Sequence, residues 1–203
     1  MRAVLDVYLA CMPDALEYKA LYPTERDTEV FSVKNDEVKK QKYCAWRLLE
    51  YALEHTFGYD VEGVDFTKTA SGKWMCPVCE FSISHSGNVV AVALSRNPVG
   101  VDVQVEKSIA SSTFAQRMLT KKEHTALLTA DGTRERNEEL LTLWTKKESI
   151  FKSLNCDRYI PAEIETSVYD TYNEVFETSG DKYYLSVCGG DISKIRVFKN
   201  IIL

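Results

Sequence analysis

The chain has 203 residues, 45% of them hydrophobic and 27% charged, enough for one domain or two small ones with a buried core. A formal net charge of −5 argues against a broad nucleic-acid-binding surface. No apolar run is long enough to span a membrane, and no charged-then-apolar leader opens the sequence. The expectation is a soluble, cytoplasmic monomer with neither nucleic acid nor membrane as partner. Six cysteines stand at positions 11, 44, 76, 79, 156 and 188. Outside Cys76 and Cys79 they show no pairing logic, so they read as reduced core thiols.

In chain order, residues 3–10 read as an opening strand. Asp14 to Leu21 is helix-like and ends at Tyr22-Pro23-Thr24. Asp36 to Phe57 is a long helix, because Val38, Cys44, Ala45, Leu48, Leu49, Ala52 and Leu53 recur at helical spacing. Its first turns and the residues before them are basic: Lys34, Lys39, Lys40, Lys42 and Arg47. Taken alone, such a run is as well explained by a solvated face. Gly58 to Ala70 is a loop with a short strand, and Ser71-Gly72-Lys73-Trp74 is a turn. Phe81 to Ser84 and Val89 to Leu94 are strands. A four-residue turn, Ser95 to Pro98, joins the second to Val99 to Glu106, and the pairing reads as an antiparallel hairpin.

Val99 to Glu106 alternates strictly. Val99, Val101, Val103 and Val105 point one way; Gly100, Asp102, Gln104 and Glu106 point the other. The reading is a strand with one face buried and Asp102 beside Gln104 on a polar face. Thr113 to Leu128 and Asn137 to Asn155 are helices separated by an Asp131-Gly132 turn, with Thr120 and Glu123 spaced to form a cap. In the second helix Leu140, Leu143, Trp144, Ile150, Phe151 and Leu154 make an apolar stripe. Trp144, Glu148 and Lys152 climb one face beside it at four-residue steps. Lys147 projects toward the middle of the stripe, where a lysine needs a partner. Taken alone, the helix is better explained by a solvated Glu148–Lys152 pair than by a ligand site. Ile164 to Tyr169, Glu174 to Thr178, Tyr183 to Cys188 and Ile195 to Phe198 return to strands.

Gly100-Val101-Asp102, followed by Trp144-Thr145-Lys146-Lys147-Glu148-Ser149-Ile150-Phe151-Lys152, resembles the paired signature of the 4'-phosphopantetheinyl transferases of the surfactin-synthetase-activating type. Gly72-Lys73 and Phe81-Ser82-Ile83-Ser84-His85-Ser86 look like two further family segments, although Trp74 stands where the family usually has proline. The resemblance implies an α+β fold, a pseudo-dimer of two similar halves with the active site between them. The division falls between residues 1–98 and 99–203. It also implies Mg²⁺-dependent transfer of 4'-phosphopantetheine from coenzyme A to a serine of an apo acyl carrier protein or peptidyl carrier domain, the holo-acyl-carrier-protein synthase reaction.

By the same resemblance, Asp102 and Glu148 hold the metal, Glu148 also serves as base, and Lys152 neutralises the pyrophosphate. Gln104 stands where some members carry a third acid, and it can offer oxygen without charge. Lys42, Arg47, Lys73, Ser84, His85, Lys147 and Lys152 are the coenzyme contacts. The carrier docks at residues 113–128, with Lys121 and Lys122 for charge and Phe114, Met118 and Leu119 for apolar contact. The alternative from another class is a non-catalytic protein that binds carrier or coenzyme A. A serine hydrolase built on Ser84, His85 and Asp102 lacks the nucleophile elbow. Cys76 and Cys79 as half a zinc site or a redox pair lack a second ligand pair at metal spacing and read as a loop with two small apolar residues.

Overall fold

The computed structural model describes residues 4–70, 72–109, 112–128, 132–156 and 158–203. The first half of the chain forms strand β1 (Leu5–Cys11), helices α1 (Thr24–Phe31) and α2 (Asp36–Phe57), and two-residue strands β2 (Thr67–Lys68) and β3 (Trp74–Met75). Strands β4 (Glu80–Ser86) and β5 (Val89–Ser95) complete it. Next come β6 (Val99–Val105), helices α3 (Ser112–Met118), α4 (Lys121–Leu128) and α5 (Thr133–Leu154), and strands β7 (Thr171–Thr178), β8 (Asp181–Gly189) and β9 (Ile195–Ile201). The mixed α+β class expected from the sequence holds. No helix among the described residues is long and apolar enough to cross a membrane.

The strands form a four-stranded sheet of order β4-β5-β1-β9, a three-stranded sheet of order β6-β8-β7, and the small β2-β3 pair. One face of the larger sheet packs on α2, where Tyr8, Val90, Val92 and Leu94 meet Trp46, Leu48, Leu49 and Leu53. The opposite face, through Leu5, Val7, Leu9, Ala91 and Ala93, packs on Val99, Val101, Val103, Leu185 and Val187 of the smaller sheet. Burial on both faces explains why β1 and β5 are near-continuous apolar runs. Helix α5 covers the far side of the smaller sheet, and its Ser149 hydroxyl meets that of Ser186 on β8 at 3.0 Å. The last strand, β9, returns to pair in parallel with β1.

Helix α2 has the predicted bounds because both ends are marked chemically. The Asn35 side chain accepts from the Val38 N–H, and Gly58 at φ 72° closes the C-terminus. Elsewhere tertiary context prevails. Asp14 to Leu21 is irregular, not helical: most of it is exposed, so it has no stripe to bury and too few residues to stand alone. The helix comes later, at α1. The predicted 113–128 helix breaks before α4. There the Thr120 hydroxyl accepts from Glu123 N–H at 3.3 Å, and the Glu123 carboxylate accepts from Thr120 N–H at 2.9 Å. Ile164 to Tyr169 contributes a tight turn at Thr166–Val168, not a strand, because Glu123 captures both the N–H and the hydroxyl of Thr166. Ser71 and Asp131, each placed in a predicted turn, lie outside the described residues.

The expected β5–β6 hairpin does not form. Both edges of β5 are already taken, by β4 and β1, so β6 leaves that sheet and pairs with β8. The face expected to be polar and solvated is likewise buried, under α5. A Cβ on Gly100 would lie 1.9 Å from the carbonyl oxygen of Ser149 and 2.6 Å from the Ser153 nitrogen, so strand and helix backbones touch only because position 100 has no side chain. Gly100→Ala is expected to lower stability by about 3 kcal/mol or to block folding; chemical denaturation checks this, and an unchanged midpoint would refute the close approach.

Candidate active site

Asp102 is 2% exposed on β6, and its position buried between α5 and β4 determines its partners. Lys152 of α5 donates to Oδ1 at 2.8 Å, Ser84 of β4 donates to the same oxygen at 2.8 Å, and the Gln104 amide donates to Oδ2 at 2.9 Å. A buried carboxylate is tolerable only when satisfied in this way. The Lys152 ammonium also reaches the carbonyls of Val101 at 3.0 Å and Ile83 at 3.5 Å, so one side chain ties α5 to a strand in each large sheet.

Three serines make the same junction along its length. On β4, the hydroxyls of Ser82, Ser84 and Ser86 accept from the N–H groups of Val101, Val103 and Val105 at 3.0, 3.2 and 2.9 Å. They stand in for a strand partner along the edge of β6 that β8 does not use. Ser84 is therefore occupied on both sides, by Asp102 and Val103, and does not line the neighbouring cleft. Its expected coenzyme contact is corrected to the positioning of Asp102.

Glu148 lies one turn before Lys152 on α5. Burial pushes its carboxyl up first and Asp102 adds to this, while Lys152, Trp144 and Tyr159 pull it back. The Trp144 indole donates to Glu148 Oε1 at 3.3 Å. The Tyr159 hydroxyl is buried beside it without a well-formed hydrogen bond, and burial and then Glu148 push its ionisation up. Two carboxyl groups thus stand within electrostatic reach of each other in a half-buried setting, and only one lysine is shared between them.

Lys152 also lines a cleft of about 630 Å³. Its walls carry Arg26 from α1, Lys42 and Trp46 from α2, Lys73 and Trp74, and His85 from β4. Four cations from separate segments converge there, and no carboxylate is among the lining residues. The chain is acidic overall, yet this cleft is the positive region an anionic ligand needs. Its field acts on His85, held down by burial and then by Lys152, Lys42 and Arg26, which favours the neutral imidazole. Burial lowers Lys73 and brings Arg26 down to about 10. The Arg26 guanidinium stacks 4.7 Å over Trp46, and its Nε is buried without a partner.

Lys42, Lys73, His85 and Lys152, expected as coenzyme contacts, all line this cleft. Arg47, expected with them, is not among the lining residues and pairs with Glu50 one turn on. Lys147 is also corrected. It is wholly buried and bonds Glu123 of α4 at 2.7 Å and the Pro161 carbonyl at 2.9 Å, with the Ile164 carbonyl as a third acceptor. It anchors α4 and the 161–166 segment to α5. Met118 and Leu119 are similarly buried, with Leu140 and Leu143, and cannot offer surface to a partner. Arg26 and Trp46 were not singled out as site residues, because no motif surrounds them and only the packing of α1 beside α2 brings them together at the cleft, and Trp74 was noted only as a departure from the family's proline.

Residues 98–196 match the family model described as the 4'-phosphopantetheinyl transferase superfamily. That match bears out the resemblance carried by the β6 and α5 motifs. The chain is 27% identical over 159 residues to 4'-phosphopantetheinyl transferase Sfp of Bacillus subtilis (strain 168), covering 70% of each chain. It is 27% identical over 156 residues to 4'-phosphopantetheinyl transferase gsp of Aneurinibacillus migulanus, covering 68% of this chain and 65% of the relative. A shorter match, 40% identical over 76 residues, is to 4'-phosphopantetheinyl transferase ffp of Bacillus subtilis and covers 37% of this chain and 33% of the relative. The superfamily span includes Asp102, Glu148 and Lys152 but not Arg26, Lys42, Lys73 or His85. Asp102, Glu148 and one cleft cation, Lys152, thus lie inside the matched span, and the other three cleft cations lie upstream of it.

Burial pushes the Glu123 carboxyl up, but hydrogen bonds from Lys147, Thr120 and Thr166 outweigh it and leave it below its ordinary range. Lys147→Ala strands that charge in the core and is expected to cost about 3–5 kcal/mol of stability, whereas replacing both Lys147 and Glu123 by apolar residues of similar size costs much less. Equilibrium denaturation of the single and double variants checks this. Equal losses in both would sink the buried-pair assignment.

Proposed function

We propose that this chain transfers 4'-phosphopantetheine from coenzyme A to a serine of an apo carrier protein, releasing 3',5'-ADP, and that the reaction uses Mg²⁺. The observation that carries the reading is the double role of Lys152. It lines the carboxylate-free cationic cleft and bonds the carboxylate of Asp102, so an anion in the cleft would end against the Asp102–Glu148 pair.

The residues fit a hard divalent cation. Mg²⁺ takes one or two protein carboxylates and completes its shell with water and phosphate oxygens. Asp102 and Glu148 are two such carboxylates; burial raises Glu148 first and Asp102 adds repulsion, which a cation would relieve. The Gln104 amide nitrogen is spent on Asp102, which leaves its oxygen to accept from a metal-bound water. When bound, the cation would neutralise charge building on the pyrophosphate.

The protein's own groups would do the rest. Arg26, Lys42 and Lys73 would hold the phosphates, and Trp46 and Trp74 would offer flat apolar surface beside them. The carrier serine oxygen would attack the β-phosphorus, breaking its bond to the oxygen that leaves with 3',5'-ADP. Glu148, already raised by burial, is suited to take the serine proton. Lys152 would stand against the departing phosphate's charge. The carrier would dock at α3 and α4 through the exposed Lys121, Lys122 and the half-buried Phe114.

The test is mass analysis of an apo carrier incubated with coenzyme A, Mg²⁺ and this protein. Addition of phosphopantetheine to the carrier serine is expected; binding of coenzyme A without turnover would overturn the reading. Asp102→Ala and Glu148→Ala are each expected to abolish transfer in a folded protein, a loss of several kcal/mol of transition-state stabilisation. Gln104→Ala should cost only about tenfold, or about 1.4 kcal/mol, and Gln104→Glu should stay active with tighter apparent metal dependence. Turnover titrated with Mg²⁺ checks both, and a Gln104→Ala enzyme as inactive as Asp102→Ala would make Gln104 a direct ligand.

A further inference from the structure

The segment between β3 and β4 is Cys76-Pro77-Val78-Cys79, and no step above uses it. The two sulfurs lie 3.9 Å apart, unbridged, and the Cys76 thiol also donates to the Cys79 carbonyl at 3.4 Å. The segment is held in place from outside. Arg96, at the end of β5, donates to the Val78 carbonyl at 2.5 Å, and its guanidinium stacks 4.4 Å over Phe57. Val78 and Cys76 also pack on the α2 core.

The two cysteines are unequal. Cys76 is partly exposed and Cys79 is buried. The hydrogen bond with Cys79 brings the Cys76 thiol down to about 7, against the opposing effect of its own burial and with help from the backbone of Cys79 and Val78; Glu80 acts weakly the other way. Cys79 is pushed strongly up by Cys76 and by burial, with Arg96 opposing. An accessible thiol that ionises easily, beside a buried one that does not, is the division between an attacking and a resolving sulfur.

A metal fits less well. Thiolate sites for zinc need four ligands, and no group of three or more histidine, cysteine or acidic side chains among the described residues could hold a metal.

We propose that Cys76 and Cys79 form a thiol–disulfide exchange site that reacts with low-molecular-weight disulfides. The Cys76 thiolate attacks one sulfur of the disulfide RSSR, forming a Cys76–SR mixed disulfide and expelling RS⁻. Cys79 then gives up its proton to the expelled thiolate, attacks Cys76 Sγ and releases the second RS⁻, which takes a proton from water in place of the one Cys76 lost. The sum is two protein thiols plus RSSR giving the Cys76–Cys79 disulfide and two RSH. Trp74 and Met75 before the segment and Phe81 after it line the cationic cleft, so the exchange takes place behind that wall.

The experiment equilibrates the reduced, folded full chain with oxidised glutathione and maps thiols by rapid alkylation and peptide mass analysis. It uses a Cys156→Ser background, because Cys156 is exposed. The expected result is loss of two thiols per chain, found as a peptide disulfide joining Cys76 and Cys79. Cys79→Ser should accumulate one glutathione on Cys76, and Cys76→Ser should give neither bridge nor adduct at Cys79. Thiols at 76 and 79 that persist while other cysteines of the chain react would overturn the proposal. So would stoichiometric Zn²⁺ binding lost in either variant, which would make the pair a metal site. The measurement with Cys76 and Cys79 both intact stands even if a variant at either position fails to fold, and none of these outcomes depends on transferase activity.

Discussion

The buried contact of Lys152 with Asp102 is the constraint on which the rest of the arrangement depends. A carboxylate with 2% exposure survives only with charge and hydrogen bonds supplied on the spot. Three elements supply them, α5 through Lys152, β4 through Ser84 and β6 itself through Gln104. None can shift without stranding the charge. The same lysine extends to backbone carbonyls in both large sheets, so the electrostatic requirement of one aspartate becomes a positional requirement on the whole core.

The layered architecture follows from how strand edges are satisfied. β6 cannot pair with β5, which already has two partners, yet its own free edge would be costly inside the protein. Alternate serines on β4 resolve this by accepting its N–H groups side chain to backbone. Two sheets can then lie side by side at the site without merging, and the gap holds the Asp102 carboxylate. Gly100 completes the geometry by letting α5 descend until Lys152 reaches the junction.

Charge is segregated to match. Acidic residues outnumber basic ones over the whole chain, but four cations and no carboxylate line the cleft, with Asp102 bonded to Lys152 and Glu29, outside the lining, paired with Arg26. Burial works against the charge on each side of this division, so each gains from a ligand of opposite charge. It lowers Lys73, Arg26 and His85 where cations crowd, and raises Glu148 where carboxyls do. An anionic ligand is thus favoured along the cleft, and a group able to accept a proton stands at its end.

How much the sequence decided depends on whether the signal was local. Helix α2 was legible to the residue, because its apolar stripe lies in one segment, and the structure adds the Asn35 cap and the Gly58 stop at its ends. The Thr120–Glu123 cap and the alternation of β6 were legible for the same reason, and the spaced motifs of β6 and α5 pointed to Asp102, Glu148 and Lys152. Periodicity says that a face is polar but not what covers it, so the Asp102 face looked solvated until α5 was seen to lie on it. A lysine inside an apolar stripe announces that a partner exists, and only the fold shows that for Lys147 the partner is Glu123. Arg47 and Arg26 are the converse pair: the first sits in a conspicuous basic run and faces away, the second sits in no motif and enters the cleft. Side-chain direction and the meeting of distant segments are set by packing, and no stretch of sequence short enough to read as a pattern contains them.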